Sequence, residues 1–177
     1  DMRETIVRNS HQLIRGNAPE EISSLNLNLN EAPIQYFKGT VENPVTLRLS
    51  GDISGVGTII VEDGNILIDG NLRYQDDRQD SLGVILINTQ SEPYPDMGNI
   101  FIDHEVSHFV GTYFADGALM STTNSVGIPK VTDLINHENT ADPAVDSDGL
   151  GKQLLLEGTI FTHNTLGGSI LLSLIHI

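Results

Sequence analysis

From Gly55 onward the chain is built from short apolar runs, each closed by a polar or acidic residue beside Gly or Asn. They read TIIVEDG (58–64), NILIDGN (65–71), GVILIN (83–88), NIFID (99–103), TYFADG (112–117), QLLLEG (153–158) and GTIFTHN (158–164). Three or four apolar residues between tight turns are too few to nucleate and propagate a helix, whereas a β-strand needs no more than that. Comparable strand positions recur at Ile66, Ile85, Ile100 and about Leu119. Those intervals are near the roughly 20 residues of one β-solenoid coil. The expected fold is therefore mainly β: a right-handed parallel β-helix (β-solenoid) over 52–177, with a short N-terminal helix or irregular cap within a cap and strand segment over 1–51. Strands 66–68, 84–87, 100–102 and 118–120 are expected to stack in one parallel register.

The N-terminal part follows a different pattern. Met2, Ile6, Leu13 and Ile14 stand near helical spacing and Gly16-Asn17-Ala18-Pro19 stops a helix, so 2–15 reads as an amphipathic helix that caps the first coil. Leu25-Asn26-Leu27-Asn28-Leu29 alternates strictly, as does Val45-Thr46-Leu47-Arg48-Leu49 before Ser50-Gly51, and both read as strands with one apolar face. Between Ser121 and Gly151 the sequence is polar, holds two prolines and loses its period, as a loop hung from one corner would. Ser169 to Ile177 is an apolar run with no capping signal, which reads as an interrupted solenoid end.

Charge narrows the function classes. The 24 acidic against 9 basic side chains give a formal charge of −15, which repels nucleic acid and anionic lipid. No stretch approaches the roughly 18 apolar residues of a spanning helix, so neither nucleic-acid binding nor membrane insertion is expected. The chain has no cysteine, which removes disulfides and thiolate metal sites. Its start at Asp1 rather than Met implies a removed leader or a longer parent, and little Lys and Arg beside much Asp, Asn, Thr and Gly points to an extracellular or cell-surface setting.

Three constellations could carry chemistry. His104-Glu105-Val106-Ser107-His108 matches H-E-x-x-H, in which two histidines on one helix bind Zn²⁺ and the glutamate activates water for peptide hydrolysis. The run continues through Phe109-Val110 to Gly111, but Phe114 stands where a longer motif needs its third ligand, leaving only His137, Glu138 or His163 to substitute. Ile100-Phe101-Ile102 leads in as a strand, and Val106, Val110, Thr112, Tyr113 and Phe114 are β-formers. In a strand the two histidines would lie about 13 Å apart, too far to share one ion. A zinc peptidase with His104 and His108 as ligands and Glu105 as catalytic base thus requires a helix that the local sequence opposes.

Asp142, Asp146 and Asp148 suggest a weak calcium loop. An EF-hand register would, however, place Ala144 at its first ligand and Leu155 at its twelfth. Asp76, Asp77 and Asp80 form a similar turn cluster. Finally, β-helices also bind or degrade polysaccharide with surface carboxylates, but Asp63, Asp69 and Asp103 sit at corners where turn chemistry explains them. With no Trp and 5% aromatic residues, a sugar-stacking platform is poorly supplied.

The units at 57–74, 98–119 and 152–169 together resemble the β-helix repeat regions of large uncharacterised surface proteins from uncultivated bacteria. That resemblance covers about 52–169 and implies an exported multi-domain parent without assigned catalysis. The closing Leu172-Ser173-Leu174-Ile175-His176-Ile177 resembles a translated adapter sequence. The resulting expectation is a non-catalytic structural or adhesive segment without a cofactor. Its partners would be surface glycans, proteins or neighbouring solenoid domains, and the alternatives are the zinc peptidase and a carbohydrate-binding or polysaccharide-degrading β-helix.

Overall fold

The computed structural model describes residues 12–15, 21–22, 27–89, 97–122 and 153–162. These form eleven strands: β1 (Gln12–Arg15), β2 (Glu21–Ile22), β3 (Ile34–Lys38), β4 (Val45–Ile53), β5 (Val56–Glu62), β6 (Gly64–Tyr74), β7 (Ser81–Ile87), β8 (Ile100–Asp103), β9 (His108–Ala115), β10 (Leu119–Thr122) and β11 (Leu155–Thr162). No helix occurs among the described residues. The strands divide by parity. One sheet has the order β1-β3-β5-β7-β9-β11 and the other β10-β8-β6-β4-β2, with every paired neighbour parallel. Each sheet thus gains a strand only after the chain has visited the other. Parallel neighbours need a crossover, and a strand of the opposite sheet supplies it where an α/β protein would use a helix.

The core lies between the sheets and is built from columns of in-register side chains. In the first sheet Phe37, Val61, Leu86 and Ala115 form one column, and Ile59, Val84 and Tyr113 another. The second sheet answers with Leu47, Ile66 and Ile100, then Leu49, Ile68 and Ile102. All belong to one buried apolar cluster. At about 1.5–3 kcal/mol for each fully buried aliphatic or aromatic side chain, these columns hold the two sheets together. The period-2 alternation of each strand is what makes such columns possible. Tyr113 closes the core with its hydroxyl donating to the Val110 carbonyl at 2.8 Å and its ring edge-on to Phe109, centroids 5.5 Å apart.

Polar residues settle the corners. A single residue, Asp63, joins β5 to β6 at φ 54°, and its carboxylate accepts from the Thr89 backbone and hydroxyl, each at 2.9 Å. At the entry to the second sheet, the Asn65 side-chain oxygen accepts the Asn99 N–H at 3.0 Å, and the Asn99 oxygen accepts the Ala118 N–H at 2.9 Å. This two-step amide ladder is buried. It satisfies backbone donors that the ladder of strand hydrogen bonds has not yet reached.

Two expectations are corrected. The helix over 2–15 is replaced, where the chain is described, by β1, whose Gln12 to Arg15 pair with Gln35 to Lys38. Tertiary pairing with β3 overrides a weak helical spacing; residues 2–11 lie outside the described set. Residues 66–68 and 100–102 stack in register, and 119–121 join them one residue later than the expected 118–120, but 84–87 belong to the other sheet, between β5 and β9. The apolar runs of both sheets are alike in sequence, so nothing local assigns a run to one sheet or the other. β4 runs across position 51 and pairs with β6 on both sides of it, with a shift of register between Leu49 and Gly51. Of the loop expected at about 121–151, Ser121 and Thr122 belong to β10 and 123–151 lie outside the described residues, as does the apolar run 169–177.

Candidate functional site

The H-E-x-x-H segment spans the corner between β8 and β9. Asp103 ends β8 and starts a tight turn: its Oδ1 accepts the Glu105 N–H at 2.9 Å and its carbonyl accepts the Val106 N–H at 3.0 Å. His104 and Glu105 form the turn, Val106 drops into the core, and β9 begins at His108. Asn71 of β6 fixes the exit, its Oδ1 accepting the N–H of Ser107 at 3.0 Å and of His108 at 3.1 Å. In a helix those two N–H groups would bond to the carbonyls of residues 103 and 104. Asn71 takes them instead, so the helix on which the zinc motif depends is not formed.

The two histidines turn to different neighbours. His104 lies between Asp103, 3.4 Å from Nδ1, and Glu105, 3.3 Å from Nε2. His108 points its Nε2 at Glu157 of β11, 3.3 Å away. Glu105 is exposed and Asp103 is buried. No group of three or more His, Asp or Glu side chains among the described residues is arranged to hold a metal ion. Four buried polar atoms at this end of the molecule, Asp69 Oδ1, Asp103 Oδ2, His104 Nδ1 and His108 Nε2, make no hydrogen bond among the described groups. Asp69 holds Arg48 through its other oxygen at 3.3 Å.

The remaining acids divide between corner and loop. Asp76 and Asp80 form the β6–β7 turn, and all four of their carboxylate oxygens accept hydrogen bonds within it or from Gly55. An open depression of about 350 Å³ beside that turn is lined by Asn30, Gly55, Val56, Asp76, Gln79 and Asp80. Asp142, Asp146 and Asp148, with His137, Glu138 and His163, lie outside the described residues. No helix among the described residues is long and apolar enough to cross a membrane.

Two arrangements went unread in the sequence. The first is the role of Asn71, whose only signal was its place in the corner run Asp69-Gly70-Asn71. The second is the outward face of the first sheet, where Tyr36, Ile60, Ile85, Phe114 and Phe161 form one column in register. Tyr36 and Ile60 are buried, whereas Phe114 and Phe161 are 48% and 56% exposed. Residues 112–117 and 158–164 are short apolar runs in sequence, and which of their side chains face outward depends on the sheet assignment.

No family model matches this chain, and neither the curated proteins nor the solved structures contain a significant match.

Proposed function

We propose that the chain is a right-handed parallel β-helix segment of an exported surface protein, acting as a non-catalytic spacer and adhesive element. The single observation that carries this reading is the strict parity of the sheets. A chain that alternates between two parallel sheets over eleven strands grows by stacking, as solenoids do. Parallel crossovers are right-handed in nearly all proteins, which gives the handedness. Carboxylates and amides at the corners serve the backbone geometry: Asp63, Asp76, Asp80, Asn71 and Asp103 each accept backbone N–H groups there. Such a rod separates or displays neighbouring domains of its parent, and its broad sheet faces are its contact surfaces.

Two measurements test this reading together. Antibody raised against the purified chain should label intact cells of the source population as strongly as permeabilised ones. The purified chain should also release no peptides from a casein substrate when supplied with Zn²⁺. Labelling confined to permeabilised cells refutes the surface assignment. Zinc-dependent proteolysis abolished by His108→Ala refutes the non-catalytic one and restores the peptidase reading.

A further inference from the structure

β11 is held differently from the strands it is stacked on. All eight of its residues pair in parallel with His108 to Ala115 of β9, which is its main neighbour. None of the eight is fully buried, and Leu155 and Phe161 are exposed. Leu156 and Ile160 are only partly buried against the core. Its connection is also the longest between described strands: residues 123–154 separate β10 from β11, whereas 116–118 alone join β9 to β10. Fully extended, a connection of that length spans roughly 100 Å. β11 is therefore held mainly by its backbone ladder, on a connection long enough to reach a neighbouring copy.

The edge of β9 that receives this strand is selective. Gly111 and Gly158 are direct partners with φ of 129° and 149°, and a Cβ on Gly158 would collide with the Gly111 carbonyl oxygen. A strand that docks here needs glycine at its fourth position. One residue earlier a carboxylate meets the imidazole of His108, with Glu157 Oε2 3.3 Å from Nε2. The Leu155 N–H donates to the Ser107 carbonyl at 2.9 Å and sets the register. Leu155-Leu156-Glu157-Gly158 meets all three demands, and every copy of the chain carries it.

From this geometry we infer that the edge of β9 is an exchange site that takes β11 from a second copy of this chain, each copy giving its strand to the other. Reciprocal exchange re-forms every contact that β11 makes with its own β9, so no strand pairing is lost. The competing term is the local concentration that the connection gives β11 at its own edge, on the order of millimolar. A second copy at comparable concentration competes for the same edge. The formal charge of −15 opposes the approach of two copies, an obstacle that salt screens. Once formed, the dimer persists, because the whole β9–β11 ladder has to open before β11 can return. Between neighbouring copies on a surface the exchange forms a homotypic contact; that use rests on the adhesive reading above, whereas the exchange itself rests on the strands.

Two single-cysteine chains test the exchange, since the parent has no cysteine. Thr112→Cys and Thr159→Cys fall at paired positions of β9 and β11. A short thiol-to-thiol cross-linker therefore joins one chain to the other when β11 of one copy lies on β9 of its partner. The chains are mixed at roughly millimolar concentration in about 0.5 M salt until the yield is constant, then diluted about a hundredfold and cross-linked. The expected result is a covalent heterodimer on a denaturing gel, at about ten times or more the yield from chains mixed only after dilution. Gly158→Ala in the Thr159→Cys chain should cut that yield about tenfold or more. Absence of the heterodimer overturns the proposal, as does a yield that ignores the concentration step. A yield unchanged by Gly158→Ala also overturns it, by making the join a contact between the faces of two intact copies. The concentration step decides without the alanine variant, should that variant fold poorly. None of these outcomes bears on where the parent protein is displayed, which the labelling of intact cells tests, so a failed exchange and a failed surface reading remain distinguishable.

Discussion

Replacing Asn99 with Ala removes the middle of the buried amide ladder, and the cost can be worked from its bonds. Asn99 Oδ1 is the acceptor for the Ala118 N–H at 2.9 Å, and both residues are about 2% exposed. Once the amide is gone, that donor stays buried without its partner, a penalty of about 1–3 kcal/mol. Asn65→Ala does the same to the Asn99 N–H and should cost a similar amount. Against a total stability of about 5–15 kcal/mol, either change is large. Urea unfolding followed by far-ultraviolet circular dichroism measures it. With a slope of about 2 kcal/mol/M, each variant should lose about 0.5–1.5 M in midpoint at unchanged slope. Asn43→Ala, at an exposed bend, should stay within about 0.5 kcal/mol of the parent. If both ladder variants also stay within that margin, the claim that the corner amides hold the stack in register is wrong.

Gly158 pairs with Gly111 at positive φ, and a Cβ there would collide with the Gly111 carbonyl oxygen. Gly158→Ala should therefore loosen β11 and speed its amide hydrogen exchange about tenfold or more, leaving β5 and β6 protected. Burial pushes the Tyr113 phenol far above its ordinary value, with Tyr74 adding to the effect. An alkaline spectrophotometric titration that compares the parent with Tyr113→Phe should thus find that the Tyr113 phenol ionises only on unfolding. Because the folded value is the raised one, Tyr113's contribution to stability is intact below about pH 10 and is lost as pH rises beyond it. Buried Glu62 accepts from Tyr36 and Lys38. Lys38→Met should destabilise by about 1–3 kcal/mol in thermal melts, since it takes a charged hydrogen-bond donor from a buried carboxylate.

The sequence carried the existence of the strands better than their arrangement. The runs at 58–64, 83–88 and 99–103 overlap β5, β7 and β8 to within about two residues at each end, because each is bounded by corner residues with a definite turn chemistry, whereas the run at 112–117 meets only the second half of β9, which begins at His108. Leu27 and Leu29 are both buried, as their alternation implies, although Leu29 lies in a turn after an isolated bridge from Asn28 to Ser54. The division into two sheets was not legible. Ile66 and Ile85 stand in equally apolar runs, and nothing local tells a residue which sheet its strand will join. The step from Ile66 to Ile100 is also much longer than that from Ile100 to Leu119, so a fixed period misassigns β7. At the corner, the β-formers around His104 and His108 argued against a helix. The device that blocks it, Asn71, lies far away in sequence and comes close only through pairing. The exposed rings were hidden for the same reason, since composition gives their number but not their side of the sheet.

Stacking itself is tested most directly by a distance along the first sheet. Ile34 and Thr159 lie in one column, related through Thr58, Gly83 and Thr112. Four strand steps place their backbones about 19 Å apart. The chain contains no cysteine, so Ile34→Cys/Thr159→Cys can be spin-labelled without background. Pulsed electron spin resonance should return a narrow distribution near that distance, broadened only by the label arms. A broad distribution centred well beyond it would mean that β3 and β11 do not belong to one continuous stack, and the solenoid account would fall.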